Sequence, residues 1–195
     1  ALTDMLVNMP NDEVLTKYQL AKGSMTLVDG ALQTEISKAV AGYPYSLSLG
    51  GSAGNAIRAM ARLGVDVGFI GKVGEDTTGE FYEQALRNIG VEPFILRSEH
   101  RSGKCVSLVS PDGERTLVTH LGAAADLHPE DIDSLILESY DCLYVEGYLV
   151  QDHSLIHTVV EQAKMRGLKV AIDLASFNVV EENRDFLRSL VERYV

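Results

Sequence analysis

The chain lacks tryptophan and holds only two cysteines and five prolines in 195 residues. Cys105 and Cys142 lie far apart in the sequence and form no C-x-x-C pair, which favours two reduced, buried thiols over a disulfide or a zinc site. No apolar run reaches the roughly 18 residues of a membrane-spanning helix, and the first ten residues do not resemble a signal peptide. We therefore expect no membrane partner and a cytoplasmic location.

Basic residues are also scarce. Lys and Arg total 17 against 28 Asp and Glu, giving a formal net charge of −11. No basic cluster is present that could bind a phosphate backbone, which argues against nucleic acid as a partner. The hydrophobic share of 46% is enough for a buried core.

Glycine, by contrast, is concentrated in one segment, "LGGSAGNAIRAMARLG" at 49–64. A helix is predicted from Ala53 to Leu63, with Gly64 where it would end. The spacing fits neither G-x-G-x-x-G nor G-x-x-x-x-G-K-[ST], which excludes the two best-known glycine-rich nucleotide loops. Gly50 and Gly51 just before the helix would let the backbone approach a polar ligand closely. The alternative is a tight strand-to-helix turn with no ligand.

Strand and helix patterns alternate from residue 51 onward. Continuous apolar strands separated by amphipathic helices predict βαβ units, and hence a parallel sheet covered by helices. The predicted elements are a strand at 65–70, a helix starting at a Thr77–Glu80 capping box, a helix starting near Pro129, a strand at 142–147, a helix capped by Asp152 and a strand at 168–173.

A second group of strands interrupts this alternation. Residues 104–110 and 115–121 flank a Pro-Asp-Gly turn and predict an antiparallel hairpin. Segments 24–30 and 43–51 are further short strands, separated by a predicted helix. These four strands would form a small sheet, either a lid beside the main sheet or a dimer interface.

Polar residues stand at several predicted strand ends, where ligands bind in parallel α/β sheets. Asp4 follows a short N-terminal stub, Glu146 and Asp173 each end a strand, and Asn55 lies near the Gly50–Gly51 turn. Carboxylates and an amide that converge there would suit a ligand rich in hydroxyl groups. The alternative is that each acid only caps the helix that follows it.

The sequence around the histidines favours surface or loop positions over metal binding. His153 and His157 have the i, i+4 spacing of metal ligands, but Ser154 stands where a zinc-protease motif has Glu, so a solvated helix face is favoured. His120 and His128 fall in loop or surface positions, with a ligand contact for His120 as the alternative.

The segment "GGSAGNAIRAMARLGVDVGFIGKVGEDTTGEFYEQALRNIGV" resembles the N-terminal signature of the ribokinase family, the PfkB carbohydrate kinases. The hairpin "SGKCVSLVSPDGERTLVTHLGAA" and the segment "VEGYLV" are similar to family elements in the same order. The region "LTKYQLAKGSMTLVD" and the loop form "GGS" resemble the adenosine-kinase-like branch. The likeness covers nearly all of the chain.

This resemblance implies a ribokinase-like α/β fold, mainly a parallel sheet flanked by helices, with a small β-sheet lid. The lid would comprise about 5–49 and 101–121, and the α/β core about 50–100 and 122–195. The implied activity is Mg²⁺-assisted phosphoryl transfer from ATP to a hydroxyl group of a sugar or nucleoside. The resemblance places Asp4, Gly50, Gly51, Asn55 and Glu146 at the substrate and Asp173 near the phosphate path, and it allows a homodimer through the lid.

The family's G-A-G-D segment, which supplies the general base, and its N-x-x-E magnesium motif do not occur in these residues. We therefore expect the catalytic Asp, most ATP contacts and the Mg²⁺ contacts beyond residue 195, and we assign no catalytic or metal-binding residue within the chain. This chain would be the N-terminal part of the kinase and inactive by itself. The alternative is a non-catalytic carbohydrate- or nucleoside-binding protein.

Overall fold

The computed structural model describes residues 1–195. They divide into two compact units, Ala1–Asp126 and Leu127–Val195. The strands and α-helices are, in chain order, β1 (Leu2–Asn8), α1 (Glu13–Lys17), β2 (Met25–Leu27), α2 (Gly30–Ala39), β3 (Tyr45–Gly50), α3 (Ser52–Arg62), β4 (Gly68–Gly74), α4 (Thr77–Asn88), β5 (Glu92–Ser98), β6 (Gly103–Val109), β7 (Arg115–His120), β8 (Cys142–Val145), α5 (His153–Met165), β9 (Lys169–Ile172), α6 (Phe177–Glu182) and α7 (Arg184–Tyr194).

The largest sheet lies in the first unit and has five strands in the order β2-β7-β6-β1-β3. The predicted hairpin is confirmed as the antiparallel pair β6–β7, whose turn is closed by the Gly113 N–H on the Ser110 carbonyl at 2.9 Å. The predicted count of four strands was too low, because β1 is also part of this sheet. It pairs in parallel with β6 and antiparallel with β3.

Strand β1 gives the sheet two different faces. Side chains alternate across a strand, and along β1 Thr3, Met5 and Val7 are buried while Leu2, Asp4 and Leu6 are only partly buried. Met5 and Val7 pack into a core with apolar side chains of α1, α2, β6 and β7. Asp4 therefore lies on the opposite face, inside the strand and not after it as the sequence suggested.

The other layer of the first unit is built on the parallel pair β4–β5, with α3 and α4. Its core includes Leu49, Ile57, Phe69, Tyr82 and Leu86. The predicted glycine end of α3 is confirmed, since Gly64 has a φ of 80°, where residues with a Cβ are strained.

Helix α4 shows a different N-cap from the one predicted. Asp76, not Thr77, accepts the Gly79 N–H at the start of the helix. An aspartate one residue earlier reaches the third helical N–H, so Thr77 becomes the first residue of the helix.

The second unit contains the parallel pair β8–β9 and helices α5 to α7. The predicted Asp152 cap is confirmed, because its Oδ1 accepts the Leu155 N–H at 2.9 Å. His153 stacks on Phe186 at 3.8 Å between ring centroids, and His157 meets Tyr194 edge-on at 5.9 Å. The i, i+4 histidines thus join α5 to α7.

The predicted helix near Pro129 is wrong. The structure has two short 3₁₀ turns, Pro129–Asp131 and Ile136–Ser139. Asp131 accepts the His128 N–H and Asp133 accepts the Leu135 N–H, each at 2.9 Å. Such local side-chain bonds compete with a continuous helix.

Both cysteines are free, as predicted, but only Cys105 is buried. Cys142 is exposed at the start of β8, so the expectation of two buried thiols was wrong for this residue. None of the helices has both the length and the apolar character needed to cross a membrane.

Candidate functional site

Asp4 and Gly50 form the centre of the candidate site. Their strands β1 and β3 are neighbours, with Asp4 opposite Ser48 and Leu2 opposite Gly50. The Asp4 carboxylate leans over the Cα of Gly50, so that a Cβ at Gly50 would overlap it. A glycine is therefore required here by close approach, and its absent side chain leaves the space that the carboxylate occupies.

The Asp4 carboxylate is partly buried and charged groups act on it only from a distance. Burial raises the pKa of Asp4 above its usual value, while the charges of Arg115 and Arg58 oppose that rise. No hydrogen bond from a protein group to this carboxylate contributes to the shift. A desolvated carboxylate without protein donors is able to accept hydrogen bonds from ligand hydroxyl groups.

The Gly50–Gly51 turn leads directly into α3. Gly51 is the N-cap residue with φ 78° and ψ 156°, and no side chain caps the helix. The Gly51 carbonyl accepts the Asn55 side-chain amide at 2.9 Å, and the Asn55 Oδ1 accepts Arg58 Nη2 at 2.8 Å. Asn55 is thus beside the predicted site, but in this structure its polar atoms stabilise the turn.

The face of the five-stranded sheet that carries Asp4 is mixed in polarity. Residues opposite one another in neighbouring strands point to the same side, so Ser48, Asp4, Cys105 and Thr119 form one row across four strands. Thr119 Oγ1 donates to Cys105 Sγ at 3.4 Å. Burial raises the pKa of the Cys105 thiol, which keeps it neutral. Leu2, Leu6 and Leu117 flank the row, and Leu27 continues it onto β2, opposite Thr119.

Glu146 and Asp173 lie in the second unit. Glu146 directly follows β8, and Asp173 directly follows β9. Asp173 Oδ1 accepts the N–H groups of Gly147 at 3.0 Å and Ala175 at 2.8 Å, and Oδ2 accepts the Tyr144 hydroxyl at 2.8 Å. Asp173 therefore joins the segment that follows β8 to the segment that follows β9. Its bond to the Gly147 N–H places it one residue from Glu146 along the chain.

The structure thus brings Asp4, Gly50, Gly51 and Asn55 together in the first unit, and Glu146 and Asp173 together in the second. Sequence reasoning missed Arg58, although its i, i+3 spacing from Asn55 on the predicted helix was a usable signal. His120 was assigned to a loop or surface position, with a ligand contact as the alternative. It lies on β7, where its Nδ1 is 3.2 Å from the Val28 carbonyl oxygen.

The model of the pfkB family carbohydrate kinases matches residues 21–188. The chain belongs to the pfkB carbohydrate kinase family. This match confirms the resemblance that the glycine-rich segment and the hairpin indicated.

Two curated pfkB relatives illustrate the range of the family. The 5-dehydro-2-deoxygluconokinase of Shouchella clausii is 32% identical over 134 residues, which cover 65% of this chain and 41% of that protein. The aminoimidazole riboside kinase of Salmonella typhimurium is 30% identical over 151 residues, which cover 74% of this chain and 47% of that protein. The chain thus spans about half the length of the curated pfkB relatives it matches.

Solved structures support the same fold. The adenosine kinase of Sinorhizobium meliloti matches with a TM-score of 0.83 and 28% identity, covering 97% of this chain and 59% of that one. The probable sugar kinase of Rhizobium etli matches with a TM-score of 0.84 and 26% identity, covering 97% and 58%. The ribokinase-like α/β fold and its adenosine-kinase-like character are confirmed.

Proposed function

We propose that the complete protein transfers a phosphoryl group from ATP to a hydroxyl group of a sugar or nucleoside, and that Asp4 holds the acceptor. The observation that carries the proposal is the Asp4 carboxylate over Gly50, partly buried and without a hydrogen bond from a protein group. Two hydroxyl groups of a polyol could replace the water that burial removes. Membership of the pfkB family supports the kinase reaction.

In this proposal the Gly50–Gly51 turn shapes the floor of the acceptor site. The missing Cβ of Gly50 gives the carboxylate its place, and the N-terminus of α3, which no side chain caps, favours partial negative charge on a bound oxygen. Asn55 keeps Gly51 in its positive-φ conformation through the carbonyl contact. Gly51 and Asn55 thus stay assigned to the site, with Asn55 as a residue that stabilises the turn.

Glu146 stays a proposed acceptor contact and Asp173 a proposed neighbour of the phosphate path. Family membership supports ATP with Mg²⁺ as the phosphoryl donor. The ATP and Mg²⁺ contacts are expected outside these residues. The cytoplasmic location and the homodimer through the lid also stay predictions.

The mixed face around Asp4 supports an acceptor that carries both hydroxyl groups and an apolar part. Polar groups lie in the row of Asp4, and leucines lie on both sides of it. A polyol with an apolar ring attached, as in a nucleoside, would use both kinds of surface. The relatives' names widen the choice, because they include kinases of a deoxygluconate derivative, of aminoimidazole riboside and of adenosine.

A coupled ADP-release screen tests the proposal. The complete reading frame would be assayed with ATP and Mg²⁺ against hexoses, pentoses, 5-dehydro-2-deoxygluconate, aminoimidazole riboside and adenosine. We expect acceptor-dependent ADP release with at least one of them, and its loss in Asp4→Asn. Tight binding without ADP release would instead support the non-catalytic binding protein.

A further inference from the structure

The segment Gly71–Gly79, with the pattern G-x-V-G-x-D-x-x-G, surrounds the start of the hairpin β6–β7. A Cβ at Gly74 would lie 2.7 Å from the Ser102 nitrogen, and a Cβ at Gly79 would lie 2.9 Å from Ser102 Oγ. Real Cβ atoms do not approach polar atoms so closely. These two glycines therefore leave room for Ser102, the residue just before β6.

Asp76 holds Ser102 in this space with both carboxylate oxygens. Oδ1 accepts the Ser102 hydroxyl at 2.7 Å and the Gly79 N–H at 2.9 Å, and Oδ2 accepts the Ser102 N–H at 2.8 Å. The Ser102 hydroxyl in turn accepts the Gly74 N–H at 2.9 Å. Ser102 is 7% exposed, so water hardly competes for these bonds.

The other end of the hairpin is fixed at the same place. The Ala123 N–H donates to the Arg101 carbonyl at 2.8 Å. Gly122 has a φ of 49°, and a Cβ there would lie 3.2 Å from the Gly103 nitrogen. The chain therefore enters and leaves the hairpin through one tightly packed point next to Ser102.

We propose that Asp76 is a positioning residue that fixes the hairpin β6–β7 through Ser102, and with it the Cys105–Thr119 wall beside Asp4. Cys105 is the direct strand neighbour of Asp4, only three residues after Ser102. A shift at Ser102 is therefore transmitted along β6 to the row that contains Asp4. The fixing of the hairpin by Asp76 depends only on the hydrogen bonds to Ser102, whereas the effect on acceptor binding rests on the proposed function.

The variant Asp76→Asn separates this role from helix capping. Asparagine keeps an oxygen for the Gly79 N–H, but its amide group would face the Ser102 N–H, donor against donor. Asp152→Asn is the matched control. Asp152 also caps a helix through Oδ1, and its Oδ2 makes only a 4.0 Å contact with His128 Nδ1, so no second hydrogen bond is lost.

Hydrogen–deuterium exchange of this chain reports on the hairpin without any substrate. We expect amides of Gly103–Val109 to exchange about tenfold faster in Asp76→Asn, since a lost buried charge-assisted bond is worth about that factor. Ser102→Ala should change the same amides in the same direction, and Asp152→Asn should leave them unchanged. Unchanged hairpin exchange in Asp76→Asn, or hairpin amides accelerated no more than the slowest-exchanging amides of residues 1–126, would overturn the proposal.

The complete protein gives a second readout if the screen identifies an acceptor. We expect Asp76→Asn to raise the acceptor KM about five- to fiftyfold and to leave the KM for ATP within about twofold. Equal changes in both constants would contradict a role in positioning the acceptor site. A screen that finds no acceptor would defeat the proposed function but would leave the exchange result standing.

Discussion

At the residue scale, Asp4 is expected to oppose folding while it serves binding. Burial raises its pKa above the usual 3.8, so the proton is bound more tightly in the folded state than in the unfolded state. When folding raises the pKa of an acid, the stability penalty is absent below the pKa of the unfolded state, grows as the pH rises through the pKa of the folded state, and is complete above it. A group placed for its chemistry despite this penalty is typical of a functional site.

The first prediction concerns Asp4→Asn. At pH 7 we expect the unfolding temperature to rise by about 1–4 °C, because the desolvated charge is removed. We expect kcat/KM of the complete protein to fall by about 10² to 10⁴, because two charge-assisted bonds of about 1.5–3 kcal/mol each are lost. Differential scanning fluorimetry and steady-state kinetics measure the two effects.

Asp112→Asn provides the control for this prediction. Asp112 is an exposed carboxylate whose pKa is lowered, first of all by its hydrogen bond to Lys22 at 2.7 Å. Its replacement should not raise the unfolding temperature and should not change kcat/KM. A destabilised Asp4→Asn with unchanged kinetics would remove Asp4 from the acceptor site.

The second prediction is that Gly50→Ala impairs the proposed acceptor site. The new methyl group would overlap the Asp4 carboxylate, which must then rotate away or push β1 and β3 apart. We expect kcat/KM to fall at least about tenfold and the free energy of unfolding to drop by about 1–3 kcal/mol. Gly42→Ala is the matched control, since a Cβ at Gly42 meets nothing within 4 Å.

At the scale of elements, the cap of α4 predicts a response to acid. Burial acts to raise the pKa of Asp76, but bonds from Ser102, Gly79 and Thr78 outweigh it and lower the pKa below 3.8. When folding lowers the pKa of an acid, its contribution to stability is fully present above the pKa of the unfolded state. That contribution is lost as the pH falls through the pKa of the folded state. The nearby cation is Lys104, whose pKa burial lowers and the Asp76 charge raises.

The third prediction follows from the lowered pKa of Asp76. Urea unfolding at pH 7 should show wild type more stable than Asp76→Asn by about 1–3 kcal/mol. The difference should hold down to about pH 4 and should narrow as the pH falls toward 2, because protonated Asp76 no longer accepts both Ser102 donors. A difference that stays constant across this range would show that the carboxylate charge plays no part.

A comparison of helix α5 with the segment after Pro129 shows which sequence signals are sufficient to predict a helix. Helix α5 was predicted because Asp152 caps it and Leu155, Ile156, Val159 and Val160 repeat at helical spacing. The segment after Pro129 has a proline and apolar spacing as well. Asp131 and Asp133 nevertheless bond to nearby N–H groups there, and such competition is decided by geometry that spacing alone does not contain.

At the scale of the whole molecule, sequence order hid the pairings that build the site. Strand β1 belongs to the same sheet as β6, although about a hundred residues separate Asp4 from Cys105 along the chain. The strand-end rule grouped Asp4 with the Gly50–Gly51 turn, but it gave no pairing of β1 with β3, which is what brings the two residues into contact. The Asp76–Ser102 contact had no local signal at all, since its partners are 26 residues apart.

The fourth prediction separates acceptor binding from catalysis. The 195-residue chain contains the Asp4 site, but its net charge of −11 and its lack of a basic cluster disfavour an anionic triphosphate. We expect isothermal titration to detect the acceptor with a Kd of about 0.1–10 mM and no ADP release on addition of ATP and Mg²⁺. Asp4→Asn should abolish the binding signal while the chain remains folded by circular dichroism. Measurable ADP release by the 195-residue chain would mean that its own residues supply the base and the phosphate contacts that we expect beyond residue 195.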